Sequence, residues 1–192
     1  MTHDVFYLLG ALRDASVDIR EGKNYEIKFG QKNQEWLVGV HKKIQNHFRI
    51  DGCLHKNLLR YTNFVIQFCQ ISEMQSPQTE WNTPSCMLSS SHEEVIAYIQ
   101  GFWDAEGGLP KIPERAEQKY ISFDQKNKEV LMFIRNALIE MGFMPTNLTF
   151  TGNVWQFRLT RKNNMIRFFH EIGSQHPEKF DRLRRMIATL TP

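Results

Sequence analysis

At 192 residues, 41% of them hydrophobic and 12% aromatic, the chain has the material for one compact domain or two small ones with real cores. Its net charge of +3 is mild, and its three cysteines, Cys53, Cys69 and Cys86, show neither a CxxC nor a His-paired spacing, which argues against a disulfide framework and a zinc site. No run approaches the roughly 20 apolar residues of a membrane span, and the opening MTHDVFYLLGALRD lacks the basic start of a signal, so a soluble protein of a reducing interior, without membrane contact, is expected.

In chain order, residues 4–15 predict a short, mostly apolar helix, and 17–21 and 24–30 two strands joined by a Glu21-Gly22-Lys23 turn. Residues 32–47 read as an amphipathic helix with Trp36, Leu37, Val40, Ile44 and Phe48 at helical spacing. Strands near 50–54 and 61–71 complete an αββαββ order. The Ser-, Pro- and Gln-rich stretch from Glu73 to Ser91 has no period and reads as a linker docked through Trp81 and Met87. Ser91 and Glu94 have capping-box spacing and open a helix over 92–106. The order then repeats, with strands near 109–113 and 119–124, a helix over 127–141 stopped by Gly142, strands over 147–151 and 154–160, and helices over 163–172 and 177–190. The division this implies is 1–73, a linker 74–91, and 92–192.

The repeat is also literal. YEIKFGQKNQEWL (25–37) lines up with KYISFDQKNKEVL (119–131), and both carry Gln-Lys-Asn, at 31–33 and 125–127. Two matching units of this kind point to a pseudo-twofold molecule.

The stretch EVIAYIQGFWDAEGGLPKIP, from Glu94 to Pro113, carries the chemistry. Ala97, Gly101 and Ala105 recur every fourth position, a smooth stripe on which another helix backbone can lie. Asp104 and Glu106 stand at the C-terminal tip, where the helix dipole disfavours negative charge, so a cation is expected beside them. YIQGFWDAEGG resembles the motif of the LAGLIDADG homing endonucleases, and YLLGALRDAS (7–16) resembles a degenerate first copy. The resemblance extends to both Gln-Lys-Asn strings and to EIGSQHPEKFDRL (171–183).

That resemblance implies an α+β fold: a pseudo-twofold pair of αββαββ(α) units, two four-stranded antiparallel saddle sheets lying on DNA, and two central packed motif helices. It implies a monomeric, site-specific double-strand DNA endonuclease of a mobile element, cytoplasmic in a microbe or organellar, with a long asymmetric target and Mg2+ as cofactor. Carboxylates repelling each other at helix ends would be relieved by a hard divalent cation with oxygen ligands. The resemblance makes Glu106 the metal-binding acid of the second copy, with Asp104 as a cap or support.

The first copy departs from the pattern. Counting from the glycine sets Ala15 against Glu106, whereas anchoring on the acid aligns Asp14-Ala15-Ser16 with Glu106-Gly107-Gly108 and keeps a carboxylate at the tip. On the second register the metal ligands are Asp14 and Glu106 with the adjoining Ala15 and Gly107. On the first, one site is crippled and the protein nicks or only binds, as a nickase, an RNA maturase or a DNA-binding regulator would. Gln31 and Gln125 match the polar residue the family sets near each scissile phosphate, and equally a strand-to-helix turn residue. Lys162 falls near the family's basic residue, with Arg161 as its competitor. Candidate DNA contacts are Arg20, Lys28, Arg49, Arg60, Lys111, Lys119, Arg158 and Arg161, each also readable as solvated surface charge.

Overall fold

Apolar residues surround the first helix on every side, and burial follows. In the computed structural model, which describes residues 3–18, 26–49, 52–55, 58–62, 83 and 85–190, α1 runs over His3–Ala11, and every residue from Val5 to Ala11 is buried. A helix apolar all round belongs in a core. The chain tightens into a 3-10 turn, Leu12–Asp14, and enters β1, Ala15–Asp18. There follow β2 (Glu26–Gly30), α2 (Gln34–Phe48), β3 (Cys53–His55), β4 (Leu58–Thr62), a 3-10 turn at Ser85–Ser89 and α3 (His92–Glu106). The remainder is β5 (Gly107–Gly108), β6 (Ile121–Gln125), α4 (Lys128–Glu140), β7 (Thr149–Phe150), β8 (Trp155–Leu159), α5 (Lys162–Glu171) and α6 (Pro177–Ala188).

Two compact units result, Met1–Ala105 and Glu106–Pro192. Each holds a four-stranded antiparallel sheet of the same order, β1-β2-β4-β3 in the first and β5-β6-β8-β7 in the second. In the first, Ile27, Phe29 and Leu59 are buried from the sheet, and Trp36, Leu37, Val40 and Ile44 from α2. In the second, Ile121, Phe123, Phe157 and Leu159 are buried together with Val130, Leu131, Ile134 and Leu138 of α4. The rings of Phe123 and Phe157 stack at 4.7 Å. The two Gln-Lys-Asn strings do the same local work: Asn33 caps α2 by accepting from the Trp36 N–H, and Asn127 caps α4 by accepting from those of Glu129 and Val130.

Helix α3 starts on the reciprocal bonds its sequence predicts. The Ser91 N–H donates to the Glu94 carboxylate at 2.7 Å, and the Glu94 N–H to the Ser91 hydroxyl at 3.4 Å. The Ser91 N–H also holds the Glu94 carboxyl below its ordinary pKa. Gly142 ends the next helix region with φ +80°, as the sequence predicts. Met87 is buried within the Ser85–Ser89 turn; Trp81 lies outside the described residues.

One predicted element is absent. Residues 109–113 form no strand; β5 is Gly107–Gly108, paired with Phe123 and Ser122. Pro110 and Pro113 have no N–H to give a ladder. The carbonyls of Leu109 and Pro110 instead accept from the Arg182 guanidinium of α6, each at 2.9 Å. The predicted strand at 61–71 begins earlier, at Leu58, and its later part lies outside the described residues. Among the described residues no helix is long and apolar enough to cross a membrane.

Within the first unit α1 and α3 approach backbone to backbone. A Cβ on Gly10 would stand 2.1 Å from the Tyr98 carbonyl oxygen, and one on Gly101 would stand 1.9 Å from that of Tyr7. Gly10→Ala or Gly101→Ala should therefore destabilise the chain by at least about 3 kcal/mol. Gly39→Ala, in mid-α2 with nothing within 4 Å of the new Cβ, should stabilise it by about 0.5–1 kcal/mol. Urea unfolding of the three variants separates these outcomes.

At the start of α6, buried His176 caps the helix, its Nδ1 accepting from the Lys179 N–H at 3.3 Å. Burial first, then the charges of Lys179 and Arg182, lower its pKa from 6.5 to about 4. The unfolded chain takes up this proton from pH 6.5 downward and the folded chain only near 4. Stability is thus full above pH 6.5 and declines as pH falls toward 4, by on the order of 2 kcal/mol after discounting for the solvent-screened part of the ring. His176→Asn keeps a cap acceptor and should flatten that part of a melting-temperature profile.

Candidate functional site

The acids of the two copies are placed by strand register. Ala15, the first residue of β1, pairs with Phe29; Gly107, the first of β5, pairs with Phe123. Phe29 and Phe123 each stand two residues before their Gln-Lys-Asn string. Ala15 thus occupies the place of Gly107, and Asp14 that of Glu106, as in the register anchored on the acid. Asp14 is nonetheless four residues beyond Gly10 while Glu106 is five beyond Gly101. The 3-10 turn resolves the mismatch. One α-helical step plus three 3-10 steps advance about 7.5 Å, as do five α-helical steps.

Glu106 is half-buried as the last residue of α3, and the Asp14 side chain lies outside the described residues. Among the described residues, no group of three or more His, Cys, Asp or Glu side chains could hold a metal ion. What Asp14 and Glu106 offer is one hard carboxylate each, beside the backbone of Ala15 or Gly107. That donor chemistry suits magnesium, manganese or calcium rather than a thiophilic ion.

Asp104 has a different setting. It is fully buried, and its Oδ2 accepts from the Tyr7 hydroxyl at 2.7 Å. The Trp36 Nε1–H donates to the same hydroxyl at 2.8 Å. Burial, and then the Asp104 charge, raise the Tyr7 pKa well above its ordinary value. Arg13 donates to the Tyr98 hydroxyl at 3.4 Å and lies 6.0 Å from the Phe102 ring centroid.

Gln31 and Gln125 adopt one local geometry, each side-chain oxygen accepting from the following N–H, of Lys32 at 2.9 Å and of Lys126 at 2.7 Å. Lys162 is the exposed first residue of α5, and Arg161 is its N-cap residue with a guanidinium contact to the Met144 sulfur. The first-half counterpart of that segment, like Arg20, lies outside the described residues.

On the first sheet, Lys28 stands directly across from Arg60, in one row with Ser16 and Cys53. On the second, Arg158 stands across from Ser122 and lies 4.4 Å from the Tyr120 ring centroid. Burial alternates along β8: Phe157 and Leu159 are buried, while Gln156 and Arg158 are half-buried and Thr160 is exposed. Beside Arg158 the Asp124 carboxylate accepts from Ser122 Oγ at 2.8 Å and from Gln156 Nε2, a polar network absent from the sequence-based candidates. Its signal was available: polar Ser122 and Asp124 alternate with apolar Ile121 and Phe123 in sequence. Lys119 donates to the Ala116 carbonyl at 3.4 Å, Lys111 is exposed beyond β5, and Arg49 closes α2 with φ 55°.

The profile of the LAGLIDADG-like domain matches residues 93–173. Homing endonuclease I-ApeI of Aeropyrum pernix is 28% identical, over 98% of this chain and 89% of that protein. The chain is thus similar to the LAGLIDADG proteins, by profile over 93–173 and by sequence over almost its whole length. The crystal structure of I-DmoI in complex with DNA and Ca shares its fold with a TM-score of 0.68 at 18% identity, over 95% of this chain and 97% of that one. The N-terminal LAGLIDADG domain of DUF199/WhiA follows at 0.58 and 12% identity, over 92% and 85%. I-DmoI has also been solved with DNA and Mn, and a variant of it with its target DNA in the presence of Mg. The fold shared with I-DmoI thus spans both units, including the residues that precede the matched profile.

Proposed function

We propose that this chain is a site-specific double-strand DNA endonuclease that works as a monomer on a long asymmetric target, with magnesium as its ion. The observation that carries the reading is the equivalence of Asp14 and Glu106, each the last residue before the first strand of its half. The 28% identity to a homing endonuclease over almost the whole chain supports it. Asp14 and Glu106 are the proposed metal-ligating carboxylates, with Ala15 and Gly107 contributing backbone. A bound divalent ion would stabilise charge on a scissile phosphate and lower the pKa of a water.

The chain's own residues supply the rest. Gln31 and Gln125, held at the strand-to-helix turns, are proposed to orient water near the phosphates. Lys162 or Arg161, at the start of α5, is proposed to stabilise phosphoryl charge. Lys28 and Arg60 stand directly opposite each other, two cationic side chains in one row of the sheet that would attract a polyanion. Together with Arg158, and with Arg49, Lys111 and Lys119 at the margins, they are proposed to hold phosphates. The network around Asp124 offers polar atoms to base edges.

Cleavage of a randomised duplex library with magnesium tests the reading. Wild type should cut both strands, and Glu106→Gln should lose at least about a hundredfold in rate. If neither protein cuts while both bind duplex, the chain is a binder on this fold and the reading fails. Lys28→Ala, Arg60→Ala and Arg158→Ala should each weaken DNA binding and reduce the salt slope of log K by about 1. Titrations at several salt concentrations measure this.

A further inference from the structure

Three side chains remote in sequence, Trp36, Tyr7 and Asp104, form a chain of buried hydrogen bonds that metal binding, DNA contact and helix packing do not explain. Its direction is fixed by chemistry. An indole N–H can only donate, so the Tyr7 oxygen accepts from Trp36 and its single proton goes to Asp104. A carboxylate at 0% exposure at a helix C-terminus is unfavourable twice, for burial and for the dipole, and a charge-assisted bond offsets both. An apolar residue at 104 would avoid the penalty altogether.

The ends of this chain of bonds are informative. Trp36 sits in the first turn of α2, where its own N–H is held by the Asn33 cap, two residues past Gln31. Asp104 sits in the last turn of α3, two residues before Glu106. We propose that Trp36, Tyr7 and Asp104 form a positioning relay that fixes the last turn of α3, and with it Glu106, against the first turn of α2. Its catalytic consequence rests on the endonuclease reading; the relay itself does not.

Heteronuclear NMR of the full chain without DNA tests the relay. The four tryptophans give four indole N–H peaks, with that of Trp36 assigned through Trp36→Phe. Asp104→Asn should move the Trp36 indole peak through Tyr7, and Tyr7→Phe should shift the backbone amides of Ala105 and Glu106. An unmoved indole peak, or unmoved amides, overturns the relay. With magnesium and saturating DNA, Tyr7→Phe should cleave about tenfold more slowly at unchanged DNA affinity; an equal rate overturns the positioning role. A wild type that cuts nothing ends the endonuclease reading alone, and the two spectra then decide the relay. If Tyr7→Phe does not fold, Asp104→Asn carries both comparisons.

Discussion

The contact of α1 with α3 is made by backbone, each helix setting a glycine against a carbonyl oxygen of the other, Gly10 against Tyr98 and Gly101 against Tyr7. Side chains cannot set that separation, because any Cβ at either point overlaps a main-chain atom. What the helices carry at their C-terminal ends inherits the rigidity of the contact. The tyrosine hydroxyls reach across it, Tyr7 to Asp104 and Tyr98 to Arg13, because the backbones are close enough for side chains six residues from their own counterparts to meet. Apolar burial of α1 on all sides follows as well, since a helix held this closely has little surface left for water.

Much of this was legible because it is local. The capping box at Ser91 and Glu94, the glycine stop at Gly142 and the paired Gln-Lys-Asn strings specify bonds within a few residues of themselves, and these are formed. The strand expected at 109–113 failed for a reason that no window of that segment contains: Arg182, more than seventy residues on, takes the carbonyls of Leu109 and Pro110. Periodicity also misplaced its start, since two glycines give no alternation to read and β5 is made only of those. Trp36, Tyr7 and Asp104 could be read separately as core aromatics and a helix-end acid, but their connection spans 97 residues and leaves no pattern in sequence.

Sequence spacing left the first motif copy with two registers, and only the sheet distinguishes them. A count from the glycine treats both helices as the same object and leaves Ala15 at the tip. The copies are not the same object: the first spends its last three residues in a tighter, longer-stepping turn. A one-residue deletion is thereby absorbed without moving the entry into β1, whose pairing with β2 matches that of β5 with β6. A degenerate motif can therefore keep an acidic residue at the entry to its strand, because what the strand fixes is the residue before it and not its distance from the helix contact.

The two halves differ most where the helices meet. Tyr7 and Tyr98 each stand three residues before their glycine, yet the residue each reaches, three past the opposite glycine, is an acid on one side and a base on the other. Two identical α1 helices would set Tyr7 against Arg13 twice and offer no carboxylate to receive the proton that Trp36 directs away from itself. The buried acid therefore depends on α3 having diverged from α1, which a single chain holding both copies permits and a symmetric pair of one copy does not. Divergence of this kind at the helix contact ties the two copies to each other, and makes the charge at Asp104 a consequence of their difference rather than of the motif they share.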